Sequence, residues 1–150
     1  DGWTRVRAKH IGVIFQQFHL IQHLNALENV RLPLDLAGEP DATAQARALS
    51  ALEQVGLSAR HDHLPSQLSR GECQRVAIAR VLVKQPALVL ADEPTASLDR
   101  NTGGEVIRQL LALTRKNNVA LIMVTHDAEF AAQCDRRVMF HDGQVVADSK

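Results

Sequence analysis

Two adjacent carboxylates, Asp92 and Glu93, follow an apolar stretch, Ala87–Ala91, that indicates a buried strand. Adjacent acids repel each other unless they share a cation or a proton. Mg²⁺ prefers oxygen ligands, usually one or two carboxylates with phosphate and water, so Asp92 is a candidate Mg²⁺ ligand, directly or through water. Glu93, pointing the other way along an extended chain, is a candidate to accept a proton from an attacking water. The alternative is a solvated turn whose acids only help to start the next helix.

A second candidate site lies at a predicted helix start. Ser69 and Glu72 form an S-x-x-E capping box, which predicts a helix to about Lys84. Free N–H groups and the positive end of the helix dipole allow such a start to bind an anion. Gly71 leaves room for a phosphate to approach the backbone. The same residues are equally typical of a capping box that only caps.

Two further polar residues follow predicted strands. Gln16 comes after Ile11–Phe15, and His126 comes after Leu121–Val124. Ligands of open parallel sheets bind beyond the carboxyl ends of the strands. A histidine there can donate a hydrogen bond to a phosphate oxygen and orient a water. Both residues also fit a structural role, and Gln17, beside Gln16, shows how common a polar residue at a strand end is.

The surrounding pattern predicts the elements that position these residues. Apolar strands alternate with helices after residue 86, which indicates a parallel sheet covered by helices. Residues 18–85 are predicted to be mostly helical, with capped starts at Asn25 and Asp41 and with Pro33 kinking or shortening the first helix. Residues 1–10 are polar and carry no helix cap. Further signals are a stop at Gly56 and a hairpin turn at Asp142-Gly143.

Composition limits the classes of function. The chain is 45% hydrophobic and 23% charged, as expected of a soluble globular protein. Its formal net charge of zero gives no electrostatic basis for binding nucleic acid. Cys73 and Cys134 suggest neither a disulfide framework nor a zinc site. His19 and His23 lack a third metal ligand at suitable spacing. We therefore expect a cytoplasmic protein, which a membrane partner can recruit.

Residues 68–99 resemble the ATP-binding cassette (ABC) ATPases. LSRGE stands where that family has its signature motif, LVLADE matches its Walker B strand, and SLD matches its D-loop. The resemblance implies a P-loop NTPase fold of the ABC type, α/β with a mostly parallel sheet and a helical subdomain, that binds ATP and Mg²⁺. It divides the chain into residues 1–17 (core strand and Q-loop), 18–85 (helical subdomain) and 86–150 (core).

The resemblance also implies a role for each candidate residue. Glu93 would act as the catalytic base and Asp92 as a Mg²⁺ ligand, while Gln16 would touch Mg²⁺ or the attacking water. His126 would contact the γ-phosphate. The remaining candidates would contact ATP held by the opposite subunit of a dimer, in trans: Ser69, Gly71 and Asp99. Arg70 stands where the family usually has glycine, and it would either strengthen phosphate attraction or block close approach of the two subunits.

Several stretches, such as NALENVRLPL and ALIMVTHD, resemble the ATPase subunits of lipoprotein-release and macrolide-exporter transporters. This branch implies an FtsX-like membrane permease as partner, contacted through residues 18–64. It also implies a homodimer or a second ATPase subunit, and a peripheral position on the cytoplasmic face of the inner membrane. Chromosome-maintenance ATPases also combine a signature turn with a Walker B strand, but they carry long coiled coils, and no sustained heptad pattern occurs here.

The phosphate-binding motif G-x-x-x-x-G-K-[ST] does not occur in the 150 residues, because none of the lysines precedes Ser or Thr. We therefore expect a partial fold without the N-terminal strands and P-loop, from a truncated frame, a fragment or a remnant, that is inactive alone. A non-catalytic module that docks on a permease or an intact ATPase is the alternative. The presence of Asp92, Glu93 and His126 counts against it.

Overall fold

The computed structural model describes residues 2–149, except for the side chains at positions 3, 4, 5 and 8. A three-stranded parallel sheet lies at its centre, in the order β1 (Ile11–Ile14), β2 (Leu88–Asp92), β3 (Ala120–Val124). The parallel sheet predicted from the sequence is thus confirmed. Because all three strands run in one direction, their carboxyl ends meet at one edge.

Helices and one hairpin surround this sheet. The helices are α1 (Gly2–His10), α2 (Ala26–Leu36), α3 (Asp41–Gln54), α4 (Arg70–Leu82), α5 (Arg100–Lys116) and α6 (Ala128–Ala131), with 3-10 turns at Ser58–Arg60 and Pro65–Gln67. An antiparallel pair, β4 (Arg137–His141) and β5 (Gln144–Ser149), closes the described chain. None of the helices within residues 2–149 is both long and apolar enough to cross a membrane.

Most predicted helix and turn signals are confirmed. The Asn25 side chain accepts a hydrogen bond from the Glu28 backbone N–H, and Glu28 returns one to Asn25, both at 2.8 Å. Gly56 ends the third helix with φ of 71°. Asp142 and Gly143 have φ of 47° and 74°, as a two-residue hairpin turn requires.

One expectation at a helix start was wrong. Asp41 does not cap α3, because Pro40 takes the N-cap position without a side-chain hydrogen bond and Asp41 is the first helical residue. Its carboxylate instead accepts from the Arg31 guanidinium at 2.5 Å. Residues 2–10 form a helix although the sequence shows no cap. Basic residues in its last turn, Lys9 among them, favour the negative end of the helix dipole.

Helix α4 connects the helical region to the sheet. It packs against α2, α3, α5 and β1, and one hydrophobic cluster runs from the helices into the sheet. Its fully buried members include Val30, Leu52, Ile78 and Val89. Gly12 in β1 permits the close approach, because a Cβ added there would lie 2.2 Å from Cγ1 of Val81 in α4.

We predict that Gly12→Ala destabilises the protein by about 1–3 kcal/mol, because the new methyl group overlaps α4 and forces it away from the sheet. Urea unfolding measures the difference. Gly104→Ala is the matched control, since a Cβ there would meet Arg108 Nη1 at 3.6 Å and Phe130 Cε1 at 3.9 Å, both ordinary van der Waals contacts. As a helix-interior substitution it is expected to stabilise by up to about 1 kcal/mol. Equal effects of the two substitutions would contradict the packing argument.

Candidate nucleotide-hydrolysis site

Glu93 leaves β2 in a left-handed conformation, with φ of 44°. Its N–H donates to the Val124 carbonyl at 2.9 Å, and its own carbonyl accepts from Ala96 N–H at 3.1 Å. The expectation that Glu93 continues an extended chain was therefore wrong. The bond to β3 and the tight turn that follows rotate the residue out of the strand, and its side chain turns toward the end of β3.

The Glu93 carboxylate meets His126 there. Glu93 Oε1 accepts the His126 backbone N–H at 2.8 Å and lies 2.8 Å from His126 Nδ1. Since a carboxylate only accepts, Nδ1 carries the proton of this bond. Glu93 is the more enclosed partner, with 23% of its side chain exposed against 81% for His126. Two residues that the sequence singled out separately thus form one hydrogen-bonded pair.

The pair changes the protonation of the histidine. The hydrogen bond that His126 Nδ1 donates to Glu93 and the charge of the Glu93 carboxylate raise the pKa of His126 above the ordinary 6.5. The higher pKa favours the imidazolium, in which Nε2 also carries a proton. Because Nδ1 is engaged by Glu93, Nε2 is the nitrogen that can donate to a substrate oxygen.

The loop after β1 lies close to the turn after β2. Ser97 Oγ donates to the Gln16 carbonyl at 3.4 Å, and Arg70 Nη1 donates to the Ser97 carbonyl at 3.2 Å. These bonds link the loop of Gln16, the Ser97 turn and the start of α4. Arg70, the residue that departs from the family pattern, therefore contacts its own chain through Ser97.

Asp92 and Gln16 are both exposed at the sheet edge. Among residues 2–149, no three or more His, Cys, Asp or Glu side chains are grouped to hold a metal ion. The side-chain oxygens of Asp92 and Gln16 fit Mg²⁺, which commonly takes one or two protein carboxylates and completes its shell with phosphate and water.

The start of α4 is capped as expected. Ser69 Oγ accepts from Glu72 N–H at 3.2 Å, and the Glu72 carboxylate accepts from Ser69 N–H at 2.8 Å. The bond from the Ser69 backbone is the main reason that the pKa of Glu72 is lowered. Cys73, in the same turn, is buried, and burial raises the pKa of its thiol, so thiolate formation is disfavoured.

Gly71 and Asp99 both have local structural roles. A Cβ at Gly71 would lie 2.5 Å from Thr102 Cγ2, so the glycine lets α4 pack against α5. Asp99 caps α5, since its Oδ1 accepts from the Asn101 and Thr102 backbone N–H groups at 3.1 Å each. Its bonds to Thr102 lower the pKa of Asp99. Within the described residues, no hydrogen bond or ion pair joins Ser69, Gly71 or Asp99 to Glu93.

Comparison with known proteins decides the family. The family described as ABC transporter matches residues 2–96. The chain belongs to the ABC transporter family. It is 52% identical over 149 residues to the ABC transporter ATP-binding protein YbbA of Escherichia coli K12, covering 99% of this chain. It is 48% identical over 139 residues to the lipoprotein-releasing system ATP-binding protein LolD of Alcanivorax borkumensis, covering 93% of this chain.

These matches confirm the resemblance to lipoprotein-release and macrolide-export subunits. The macrolide export ATP-binding/permease protein MacB of Bradyrhizobium diazoefficiens is 45% identical over 150 residues, which are 100% of this chain and 23% of MacB. The chain spans 65% of YbbA and 61% of LolD.

Solved structures confirm the α/β fold. The ATP-binding cassette MJ0796, in a dimeric post-hydrolysis state bound to ADP and Pi, superposes with a TM-score of 0.85 at 40% identity. The match covers 100% of this chain and 66% of that one. A second dimeric structure of MJ0796 gives a TM-score of 0.86 at the same identity.

Sequence reasoning missed two residues of α4 that hold neighbouring loops. Gln74 is fully buried, and its Nε2 donates to the Pro94 carbonyl at 2.6 Å. Arg80 donates to the Phe18 carbonyl at 2.9 Å and the His19 carbonyl at 2.7 Å. The available signal for Gln74 was its position on the helix face that carries Ala77 and Ile78, three and four residues later.

We predict that Gly71→Ala destabilises the protein by about 1–3 kcal/mol, because its methyl group overlaps Thr102 Cγ2. Thr102→Ser removes that methyl group and keeps the hydroxyl, so Gly71→Ala should cost clearly less in a Thr102→Ser background. A double-mutant cycle by urea unfolding measures the coupling. Additive effects would show that the Gly71–Thr102 contact is not the cause.

We predict that His126→Gln lowers stability at acidic but not at alkaline pH. A raised pKa in the folded state contributes stability that is full below the unfolded value of about 6.5 and disappears as pH rises through the folded value. Urea unfolding of the unsubstituted protein and of His126→Gln between pH 5.5 and 8.5 gives the difference in their free energies of unfolding. The contributions of the other histidines cancel in this difference. A difference independent of pH would contradict the Glu93–His126 pair.

Proposed function

We propose that this chain is the hydrolytic region of an ABC transporter ATP-binding subunit, in which ATP hydrolysis drives a membrane permease. This proposal rests on the position of the Glu93 carboxylate, which is hydrogen-bonded to His126 at the edge of the parallel sheet, beside Asp92 and the loop of Gln16. The MJ0796 cassette, whose structure is described as bound to ADP and Pi, supports nucleotide hydrolysis by a chain of this fold.

Glu93 is proposed to accept the proton of the attacking water. Both His126 donors lie on Oε1, which leaves Oε2 as the oxygen that takes the proton. His126, favoured in its charged form by Glu93, donates from Nε2 to the γ-phosphate and thereby stabilises charge that develops on it. Gln16, on the neighbouring loop, orients the water.

Asp92 and Gln16 are the proposed Mg²⁺-facing residues of the site. When bound, Mg²⁺ supplies positive charge to the phosphate oxygens. Asp92 is the last residue of β2 and lies beside Val124 in register, so its backbone is fixed by the sheet. The carboxylate is therefore presented from a rigid element at the edge where Glu93 also begins its turn.

Ser69, Gly71 and Asp99 are proposed to serve the ATP of an opposite subunit. They make no hydrogen bond or ion pair to Glu93 within the described residues, so a role at a second nucleotide fits their placement. The MJ0796 relative is described as a dimer. The chain would accordingly act as a homodimer or beside a second ATPase subunit.

The membrane partner is proposed to be an FtsX-like permease that contacts residues 18–64, at the cytoplasmic face of the inner membrane. The names of the relatives support this. LolD is named for a lipoprotein-releasing system, and MacB is named as both ATP-binding protein and permease. We infer that residues 18–85, which contain α2, α3 and α4, are the helical subdomain that mediates this contact.

We propose that the 150 residues by themselves turn over no ATP, because they contain no G-x-x-x-x-G-K-[ST] segment to cradle its phosphates. The test replaces the matched 149 residues of YbbA with this chain. We predict that the hybrid hydrolyses Mg·ATP and that Glu93→Gln lowers kcat by at least about 100-fold with ATP still bound.

Glu105→Gln, at an exposed glutamate of α5, is the matched control and should leave the rate unchanged. Steady-state phosphate release and nucleotide binding are measured on each hybrid. Turnover that is indifferent to Glu93→Gln would refute the proposed base. A hybrid that binds a permease but hydrolyses nothing would favour the non-catalytic docking module instead.

A further inference from the structure

Gln74 is a polar residue in the interior of α4. Its side chain is fully buried, and its Nε2 donates to the Pro94 carbonyl at 2.6 Å. Its Oε1 accepts no hydrogen bond from the described residues. Burying a carboxamide costs free energy unless it is hydrogen-bonded, so the bond to Pro94 is the interaction that offsets the burial of Gln74.

Pro94 directly follows Glu93, the proposed base. Glu93 has φ of 44°, and a non-glycine residue in the left-handed region costs about 1–3 kcal/mol unless its surroundings impose the conformation. Before Glu93, the strand is fixed by its pairing with β3. The restraint after Glu93 must therefore come from elsewhere.

Three elements hold this turn. The Glu93 N–H donates to Val124 in β3, the Pro94 carbonyl accepts from Gln74 in α4, and Thr95 is buried against Gly103 of α5. The Glu93 carbonyl itself accepts from Ala96 N–H inside the turn, and of the contacts made by other elements after Glu93, the one from Gln74 is the nearest in the chain, on the carbonyl of Pro94. It is also the one made by a side chain that has no other hydrogen-bonding partner among the described residues.

We propose that Gln74 is a positioning residue for Glu93: its amide fixes the Pro94 carbonyl and so sets the direction in which the Glu93 carboxylate leaves the strand. This inference rests on the proposed function of Glu93 as the base. Gln74 itself is fully buried. It acts through the backbone of the turn, and it places the carboxylate where Oε1 meets His126.

Helix α4 gives this placement a fixed frame. Arg80, six residues after Gln74, is half-buried and donates to the Phe18 and His19 carbonyls of the loop after β1. His19 also has a left-handed φ, of 46°. One helix therefore holds the loop of Gln16 and the turn of Glu93 at a constant separation, through side-chain donors to backbone carbonyls.

The test is Gln74→Met, which keeps the length of the side chain and removes the donor. The readout is the His126 backbone amide, whose N–H donates to Glu93 Oε1. In ¹⁵N-labelled protein we expect its resonance to move toward its position in Glu93→Ala, and its hydrogen exchange to become at least about fivefold faster. Neither measurement requires nucleotide or turnover.

Gln109→Met is the matched control, because Gln109 is a partly exposed glutamine whose Nε2 donates to the Gln54 carbonyl at 3.3 Å. It should leave the His126 amide unchanged. An unchanged His126 amide in folded Gln74→Met would overturn the inference. If Glu93→Gln leaves the turnover rate of the YbbA hybrid unchanged, the proposed function is overturned instead. The two failures are therefore distinguishable.

A second measurement covers the case in which Gln74→Met does not fold. In the unsubstituted protein, the Gln74 Nε2 protons should exchange at least about fivefold more slowly than those of the partly exposed Gln109. Exchange at equal rates would show that the Gln74–Pro94 bond does not persist in solution, and it would overturn the inference without any substitution.

Discussion

The parallel pairing of β2 with a strand on each side is the constraint on which the site depends. Because β1, β2 and β3 run in the same direction, the loop of Gln16, the Asp92–Glu93 pair and His126 emerge at one edge of the sheet. Side chains alternate along a strand, so a slip of one residue in either pairing would reverse the faces of that strand. The buried contacts of Ile14 and Val89 prevent such a slip.

Helix α4 fixes the loops that leave this edge relative to one another. Along its length, Arg70, Gln74 and Arg80 each donate to backbone carbonyls of other segments: the Ser97 turn, the Glu93 turn and the loop after β1. Carbonyls are present at every residue, so these contacts place few demands on the loop sequences. The sequence of α4 is constrained instead, because its donors must lie on the correct face and its packing must not shift. Gly12 and Gly71 satisfy that second requirement by allowing α4 to approach the sheet and α5.

The sequence predicts what is decided by neighbouring residues. The capping boxes at Asn25 and Ser69, the stop at Gly56, the hairpin turn and the three strands all follow from local patterns. The features it does not predict depend on distant residues. The left-handed turn at Glu93 includes a hydrogen bond to the Val124 carbonyl. Gly71 is required because Thr102 lies close to it. The buried Gln74 is hydrogen-bonded to the Pro94 carbonyl. Single-residue preferences carry no information about such partners. The sequence could therefore name candidate residues for the site, but it could not predict the contacts that orient them.

His126, which can change its charge, is a different group from the amides that hold the Glu93 backbone in position. His126 is largely exposed, so solvent screens its interaction with Glu93, whose hydrogen bond and charge raise the pKa of His126. The bonds that set the Glu93 backbone, from its own N–H to Val124 and from Gln74 to Pro94, involve amides that do not titrate. Protonation of His126 can therefore vary while the carboxylate stays in place. This arrangement suits the base role proposed for Glu93, because the position of its backbone does not depend on the charge of His126 beside it.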